Sequence, residues 1–206
     1  MNRPKGVTTR RVPRRREPLR IIRVLTEGTV TEPGYLAQWA RRDRRVHIDF
    51  AESGLAPLTL VQRAREHQQA RRQSSRRSHD AYYDEIWCVF DIDEHPNLPQ
   101  ALNEARQSDI YVALSNPCFE LWLLLHLEDQ TAHIDRHHAQ RRAEDLGIVQ
   151  AKRFDPGSIV DLLIAYDSAK QRAVALREQH ARNGSEPGAN PSSNVWELVD
   201  LLREPE

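Results

Sequence analysis

Four short apolar segments, with a helical pattern after each, constrain the fold of this chain more than any other feature. The segments are rich in β-branched and aromatic side chains and occupy residues 19–25, 46–50, 86–90 and 110–114. The helical patterns that follow them begin near residues 31, 57, 98 and 117. This alternation predicts an α/β fold in which a mainly parallel four-stranded sheet carries helices on its faces.

The remaining segments predict an N-terminal arm and a helical C-terminal part. Residues 1–19 are rich in Arg and Pro and lack apolar periodicity, so we expect a disordered basic arm. Helical patterns in the last third of the chain cover about 135–146, 158–181 and 193–203. Residues 183–193, with Gly, Pro and Ser, are typical of a loop. We therefore predict an α/β domain at 20–128 and a helical extension, packed on it, at 129–206.

The composition predicts a protein of the cytoplasm. The longest apolar run, residues 121–127, is far too short to span a membrane, and no signal-peptide pattern follows the basic N-terminus. Cys88 and Cys118 lie in apolar segments without metal-ligand spacing, which indicates reduced thiols in the core. We expect a cytoplasmic location and no membrane partner.

The net charge is zero, but the basic side chains are clustered. Residues 1–20 hold eight Lys or Arg and one acid, and the segment 63–77 is basic again. Nearly all of this charge is arginine, whose planar guanidinium suits phosphate, so we predict that Arg71 and Arg72 help to bind a nucleic-acid backbone. A GC-rich genome would produce the same arginine content, and the clusters alone therefore support nucleic-acid binding only weakly.

Acidic side chains follow two of the predicted strands at the points where these strands end. Glu27 and Gly28 come after the first strand, and Asp91 and Asp93 come after the third. Function sits at the carboxyl ends of strands in open parallel sheets, so we expect the three carboxylates to meet there. Carboxylates at such a short distance repel one another, and a bound Mg²⁺ or Mn²⁺ would relieve the repulsion. Gly28 would let a phosphate approach the backbone closely.

A plainer explanation is that these acids are solvated residues of strand-end turns, where Asp is common. An isolated Asp-x-Asp sequence would favour that explanation. Its combination with a strand followed by Glu-Gly favours a metal site instead.

The same residues resemble a known family. Glu27-Gly28 after one strand and Asp91-Ile92-Asp93 after another are similar to the Toprim pattern of topoisomerases, primases and overcoming-lysogenization-type nucleases. More narrowly, four segments resemble the RloB family: LTEGTVTEPGY at 25–35, DID at 91–93, SNPCFELWLLLH at 115–126 and NPSSNV at 190–195. The resemblance extends from about residue 20 to residue 203 and leaves out the basic arm.

The resemblance implies a Toprim-like, Rossmann-like fold and a nuclease that depends on Mg²⁺ or Mn²⁺. Carried over to this chain, Glu27 would be the general acid–base or a metal ligand, and Asp91 and Asp93 would hold the metal. The family also implies an anti-phage system of the abortive-infection type, with an ATPase encoded nearby as a partner. The substrate would be a nucleic acid, either RNA, for which transfer RNA is one precedent, or DNA.

The segment 115–126 contributes further candidates. Glu120 falls in the first turn of a helix that begins at the end of the fourth strand, and the family motif gives it a catalytic role. An acid at that position also suits the helix dipole. Asn116 is expected to cap this helix or to position substrate. His126 is expected to make a structural hydrogen bond.

Other functions remain compatible with these residues. A non-catalytic subunit that binds nucleic acid or an ATPase would carry the same acids as structural residues. A haloacid-dehalogenase phosphatase would need Thr or Val in place of His95, and a sugar-nucleotide transferase leaves Glu27-Gly28 unexplained. Metal-dependent cleavage of nucleic acid that is lost in Asp91→Ala would separate the nuclease from these alternatives.

Overall fold

The structure is a computed structural model that describes residues 19–40, 45–73, 83–92, 95–151, 153–154 and 156–203. Apart from Leu19, the predicted arm lies outside the described residues, and so does Asp93. The predicted division of the chain at residues 128 and 129 stays a prediction.

The described residues form strands and helices in the following order along the chain. The strands are β1 (Arg20–Thr26), β2 (Val46–Ser53), β3 (Glu85–Asp91), β4 (Tyr111–Asn116), β5 (Val149–Gln150), β6 (Arg153–Phe154) and β7 (Ser192–Ser193). The helices are α1 (Thr31–Ala40), α2 (Pro57–Gln73), α3 (Leu98–Gln107), α4 (Phe119–Leu127), α5 (Arg136–Asp145), α6 (Pro156–Ile164), α7 (Tyr166–Arg182) and α8 (Val195–Arg203). Among these helices, none combines the length and the apolar character that crossing a bilayer requires.

The main sheet has the strand order β2-β1-β3-β4-β7. Strands β1 to β4 pair in parallel, and β7 pairs antiparallel with β4. The predicted α/β class and the mainly parallel sheet are therefore confirmed. The predicted count of four strands is wrong, because β7 adds a fifth.

Side chains reinforce the backbone pairing of β7 with β4 at the edge of the sheet. The side-chain amide of Asn194, the residue after β7, makes two hydrogen bonds to the backbone of β4. Its oxygen accepts from Leu114 N at 2.6 Å, and its nitrogen donates to Val112 O at 3.1 Å. The hydroxyls of Ser115 and Ser193 lie 3.0 Å apart. A strand of two residues carries no alternation of apolar and polar side chains, so periodicity could not reveal it.

Two hydrophobic clusters cover the two faces of the sheet. On one face, Leu60 of α2 and Ala101 of α3 pack against β3 residues that include Cys88 and Phe90. On the other face, α1 and the C-terminal helices pack around α4. Strand β2 pairs with one side of β1, and β3 pairs with the other side. The helices that make these two connections, α1 and α2, lie on opposite faces of the sheet. Strand order thus reverses between β1 and β3, which is where open α/β sheets bind ligands.

Helix α4 is the most deeply buried helix of the described chain. Its sequence, FELWLLLHL, is apolar all round, and every side chain except that of Leu127 is buried. A helix of this kind must be covered on all sides, and α4 contacts β4, α5, α6 and α7. The helix begins at Phe119, beside the carboxyl end of β4, and so fixes the position of Glu120.

The helix predicted at 158–181 is in fact two helices, α6 and α7, separated at Ala165. The side chain that follows the break is anchored, since the Tyr166 hydroxyl lies 2.7 Å from an Asp200 carboxylate oxygen and 3.1 Å from Trp196 O. Neither Gly nor Pro marks the break, so the sequence offered no local signal for it.

His126 has the structural role that the sequence predicts. Its Nδ1 lies 2.9 Å from Trp122 O, a carbonyl that can only accept, so this nitrogen carries the hydrogen. Its Nε2 then accepts from the Tyr35 hydroxyl at 3.0 Å. Burial lowers the pKa of His126 to about 4, and the ring is therefore neutral in the folded protein at neutral pH.

This depressed pKa predicts a loss of stability in mild acid. Between pH 6.5 and about 4 the unfolded chain binds a proton at His126 that the folded chain does not, so the free energy of unfolding falls as pH falls through this window. The loss attributable to His126 is roughly 3 kcal/mol over the whole window. Urea unfolding across that pH range measures it. His126→Gln should show a shallower pH dependence, and an equal slope in both proteins would contradict the assignment.

Candidate functional site

The structure brings Glu27 and Asp91 together, as predicted. Glu27 directly follows β1, and its backbone N–H donates to Val89 O at 2.9 Å, which continues the pairing of β1 with β3. The Glu27 Oε2 atom accepts a hydrogen bond from the backbone N–H of Asp91 at 3.1 Å. The two predicted acids are therefore adjacent at the reversal of strand order.

The Asp91 carboxylate is buried in an acidic environment. Its side chain is the last of β3 and faces a cavity of about 210 Å³. Burial raises its pKa well above the usual range, and the charges of Glu32 and Glu27 raise it further. Arg136 of α5 opposes this shift, since its Nη2 donates to Asp91 Oδ2 at 2.6 Å.

Glu32 is a second buried acid of the same cavity, and sequence reasoning missed it as a site residue. Its Oε1 accepts from the backbone N–H of Gly28 at 2.9 Å, and it is only 6% exposed. Burial raises its pKa, and the charges of Glu120 and Glu27 add to the effect. The sequence could have identified Glu32 by its position in the first turn of α1, because that turn lies at the same edge of the sheet as Glu27.

A Cβ at Gly28 would collide with the Glu32 carboxylate, so any larger residue here would force that side chain to move. The missing side chain provides the space that holds Glu32 in the cavity. The predicted role of Gly28 in phosphate binding stays a prediction, and the structure adds this second reason for glycine.

Glu120 also lines the cavity, and it reaches it from the carboxyl end of β4, the strand next to β3. It is 7% exposed and lies in the first turn of α4. Its charge contributes to the raised pKa of the neighbouring Cys118 thiol, after burial of that thiol. Together, Glu27, Glu32, Asp91 and Glu120 place four carboxylates in the wall of one cavity.

His95 is a further residue that sequence reasoning did not assign to the site. Its Nε2 donates to Glu27 Oε1 at 3.0 Å, so Glu27 is held from both sides, by His95 and by the backbone of Asp91. Its position in the sequence could have indicated this, because His95 closely follows the Asp-x-Asp sequence at the end of β3.

The remaining predicted residues lie elsewhere. Asn116 does not cap α4, whose N-cap is Cys118; its amide instead donates to Gly188 O at 2.7 Å. Arg71 lies over the ring of Tyr83, 4.8 Å from its centroid, and Arg72 is exposed in the last turn of α2. Neither arginine lines the acidic cavity. Their role in substrate binding stays a prediction.

A larger cavity of about 730 Å³ lies along β4 between α3 and α7. Its wall is mainly apolar and includes the stacked rings of Trp87 and Tyr111, whose centroids are 5.0 Å apart. None of the predicted acids that the structure describes lines it. The chemistry proposed from the sequence therefore belongs to the smaller, acidic cavity.

The acidic cavity fits a divalent cation in the kind of donor that it offers. Carboxylate oxygens are preferred ligands of Mg²⁺, and the repulsion among buried carboxylates would decrease when such an ion binds. Within the described ranges, no three metal-ligating side chains are already placed to hold an ion. Asp93 is not among those residues, and Arg136 contacts the Asp91 carboxylate.

The raised pKa of Glu32 predicts that this acid destabilises the fold. Below both its unfolded and its folded pKa the residue is neutral and has no such effect, whereas at neutral pH its buried charge disfavours the folded state. Glu32→Gln keeps an acceptor for Gly28 N–H and should stabilise the protein by on the order of 1 kcal/mol at pH 7. Urea unfolding would measure the gain.

The gain from Glu32→Gln should shrink as pH falls, because the wild-type carboxyl becomes protonated. Glu178→Gln is the matched control, since Glu178 lies on the surface of α7 at 3.8 Å from Arg182 and should have little effect. A Glu32→Gln protein that is less stable than wild type at pH 7 would contradict the prediction.

The family model described as RloB-like protein matches residues 22–202, which is most of the chain. No curated protein and no solved structure matches the chain.

Proposed function

Because the chain belongs to the RloB-like family, we propose that it is a Toprim-type nuclease that uses Mg²⁺ or Mn²⁺ to cleave phosphodiester bonds of nucleic acid. The observation that supports this most is the meeting of Glu27 and Asp91 at the reversal of strand order, in a cavity that also contains Glu32 and Glu120. Burial of several like charges opposes folding, so their presence together suits a binding or catalytic role better than a structural one.

In this proposal Asp91 and Asp93 hold the metal, and Glu27 lies beside it. The ion would supply positive charge that offsets the negative charge developing on the phosphate in the transition state. The role of Asp93 rests on its spacing from Asp91 and on the family resemblance, since extended residues two apart point the same way.

Glu27 is the residue we propose for proton transfer. Its Oε2 is fixed by the Asp91 amide, and its Oε1 accepts from His95. A carboxylate held in this way can take the proton of a water molecule or of a ribose hydroxyl that attacks the phosphate. His95 is partly exposed and can keep Glu27 oriented while the proton leaves toward solvent.

The wider biological role is proposed from the family resemblance. The substrate would be RNA, with transfer RNA included, or DNA. The protein would act as the effector of an anti-phage, abortive-infection system, and an ATPase encoded nearby would be its partner. The basic side chains of α2, including Arg71 and Arg72, are the proposed contacts to the nucleic-acid backbone.

A cleavage assay tests the proposal. Labelled transfer RNA, single-stranded RNA, and single- and double-stranded DNA are incubated with purified protein and Mg²⁺ or Mn²⁺, with a chelator as control. We expect cleavage of one substrate class by the wild type and none by the Glu27→Ala, Asp91→Ala double variant. Equal cleavage by both proteins would contradict the proposed site. No cleavage by the wild type, with or without a co-purified ATPase, would favour the non-catalytic binding subunit.

A further inference from the structure

Arg136 is the one positively charged side chain among the described residues that line the acidic cavity. It reaches the cavity from α5 and donates from Nη2 to Asp91 Oδ2 at 2.6 Å. Asp91 is almost fully buried, whereas about a third of the Arg136 side chain is exposed. The ion pair therefore has one fixed partner and one partner with room to move.

The position of Arg136 on its helix is not explained by helix stability. It occupies the first turn of α5, where the helix dipole disfavours a positive charge. Helix α5 is held by its buried residues Ala139 and Ala143, on the side that faces α4, and this leaves Arg136 and Gln140 in the cavity wall. A cation placed against the dipole and aimed at buried carboxylates indicates a role in binding charge.

We infer that Arg136 is the phosphate-binding residue of this site and that its ion pair with Asp91 competes with the divalent cation. The inference rests on the proposed function. An oxygen of Asp91 that accepts from a guanidinium is hindered from binding a metal at the same time. Once released, the guanidinium stays at the cavity, and its planar fork matches two oxygens of a phosphate. Arg136 thus neutralises the charge of Asp91 in the metal-free protein. When metal and substrate are bound, it neutralises the charge of the substrate phosphate instead.

The inference predicts opposite effects on two affinities when Arg136 is replaced. Arg136→Gln removes the competitor of the metal, so Mn²⁺, measured by the electron paramagnetic resonance signal of the free ion, should bind about tenfold more tightly. A fluorescein-labelled single-stranded oligonucleotide, measured by anisotropy with Ca²⁺ in place of Mg²⁺, should bind about tenfold more weakly.

Arg142→Gln is the matched control for both measurements. Arg142 lies on the same helix and also pairs with a carboxylate, Glu128, at 2.6 Å, but outside the acidic cavity. Both affinities of this variant should equal those of the wild type.

The outcomes separate the inference from the function on which it rests. If the wild type and both variants fail to bind Mn²⁺, or the wild type binds neither the oligonucleotide nor any other substrate of the cleavage assay, the proposed function is wrong. If the wild type binds both and Arg136→Gln leaves either affinity at the wild-type value, the inference about Arg136 is overturned while the proposed function stands. The inference about Arg136 is supported if Arg136→Gln, and not Arg142→Gln, binds Mn²⁺ more tightly and the oligonucleotide more weakly than the wild type.

Discussion

Replacement of Asp91 by asparagine is expected to reduce the rate of nucleic-acid cleavage on the order of a thousandfold. The substitution removes a negative charge from the proposed metal ligand and changes little else. Asparagine has nearly the same volume, and its amide oxygen can still accept from Arg136. The hydrogen bond to Glu27 comes from the backbone of residue 91 and is kept.

The fold should survive this substitution, because it removes a buried charge that burial and the neighbouring charges of Glu32 and Glu27 disfavour. Equal thermal unfolding temperatures of wild type and variant would show that the loss of cleavage comes from the missing carboxylate and not from unfolding. Asp49→Asn is the matched control, since Asp49 also pairs with an arginine, Arg23 at 2.8 Å, but lies on the edge strand β2. Cleavage at the wild-type rate by Asp91→Asn would remove Asp91 from the mechanism.

The largest effect on stability is expected for Trp122→Ala. Trp122 is fully buried at the centre of α4, and its ring makes edge contacts with His126 at 4.8 Å, Tyr166 at 6.1 Å and Tyr35 at 6.3 Å between centroids. Truncation leaves a cavity among rigid rings that cannot collapse around it, so the free energy of unfolding should fall by roughly 3–5 kcal/mol. Urea denaturation measures this loss.

Trp196→Ala is the control for Trp122. Trp196 is only partly buried, and Lys170 and Arg177 lie over its ring at 5.3 and 5.1 Å. Its truncation should cost about 1 kcal/mol, because water and long side chains can fill the space. Similar losses in the two variants would show that α4 is not the centre of the core.

The parallel strands and the meeting of Glu27 with Asp91 could be predicted from the sequence because both follow from local patterns. Buried parallel strands are continuous apolar runs, and the residue after such a run lies at the carboxyl edge of the sheet whatever the details of packing. The same logic places Glu32 at that edge, in the first turn of the helix after β1, and would have found it.

The features that the sequence did not predict depend on contacts between distant residues. Arg136 lies 45 positions from Asp91 in a chain rich in arginine, so nothing local distinguishes it. Strand β7 is defined by the bonds of Asn194 to β4, 80 and 82 positions away. The break at Ala165 likewise depends on Tyr166 reaching Asp200. Tertiary contacts decide these features, and a single sequence does not reveal them.

Titration of the protein with Mn²⁺ tests most directly whether the acidic cavity is a metal site, since the measurement requires neither a substrate nor a partner. The free ion would be followed by electron paramagnetic resonance for the wild type and for the Glu27→Ala, Asp91→Ala double variant. We expect saturable binding by the folded wild type and its loss in the equally folded double variant. Binding that is unchanged in the double variant, or absent from both proteins, would contradict the assignment of Glu27 and Asp91 to a catalytic metal site.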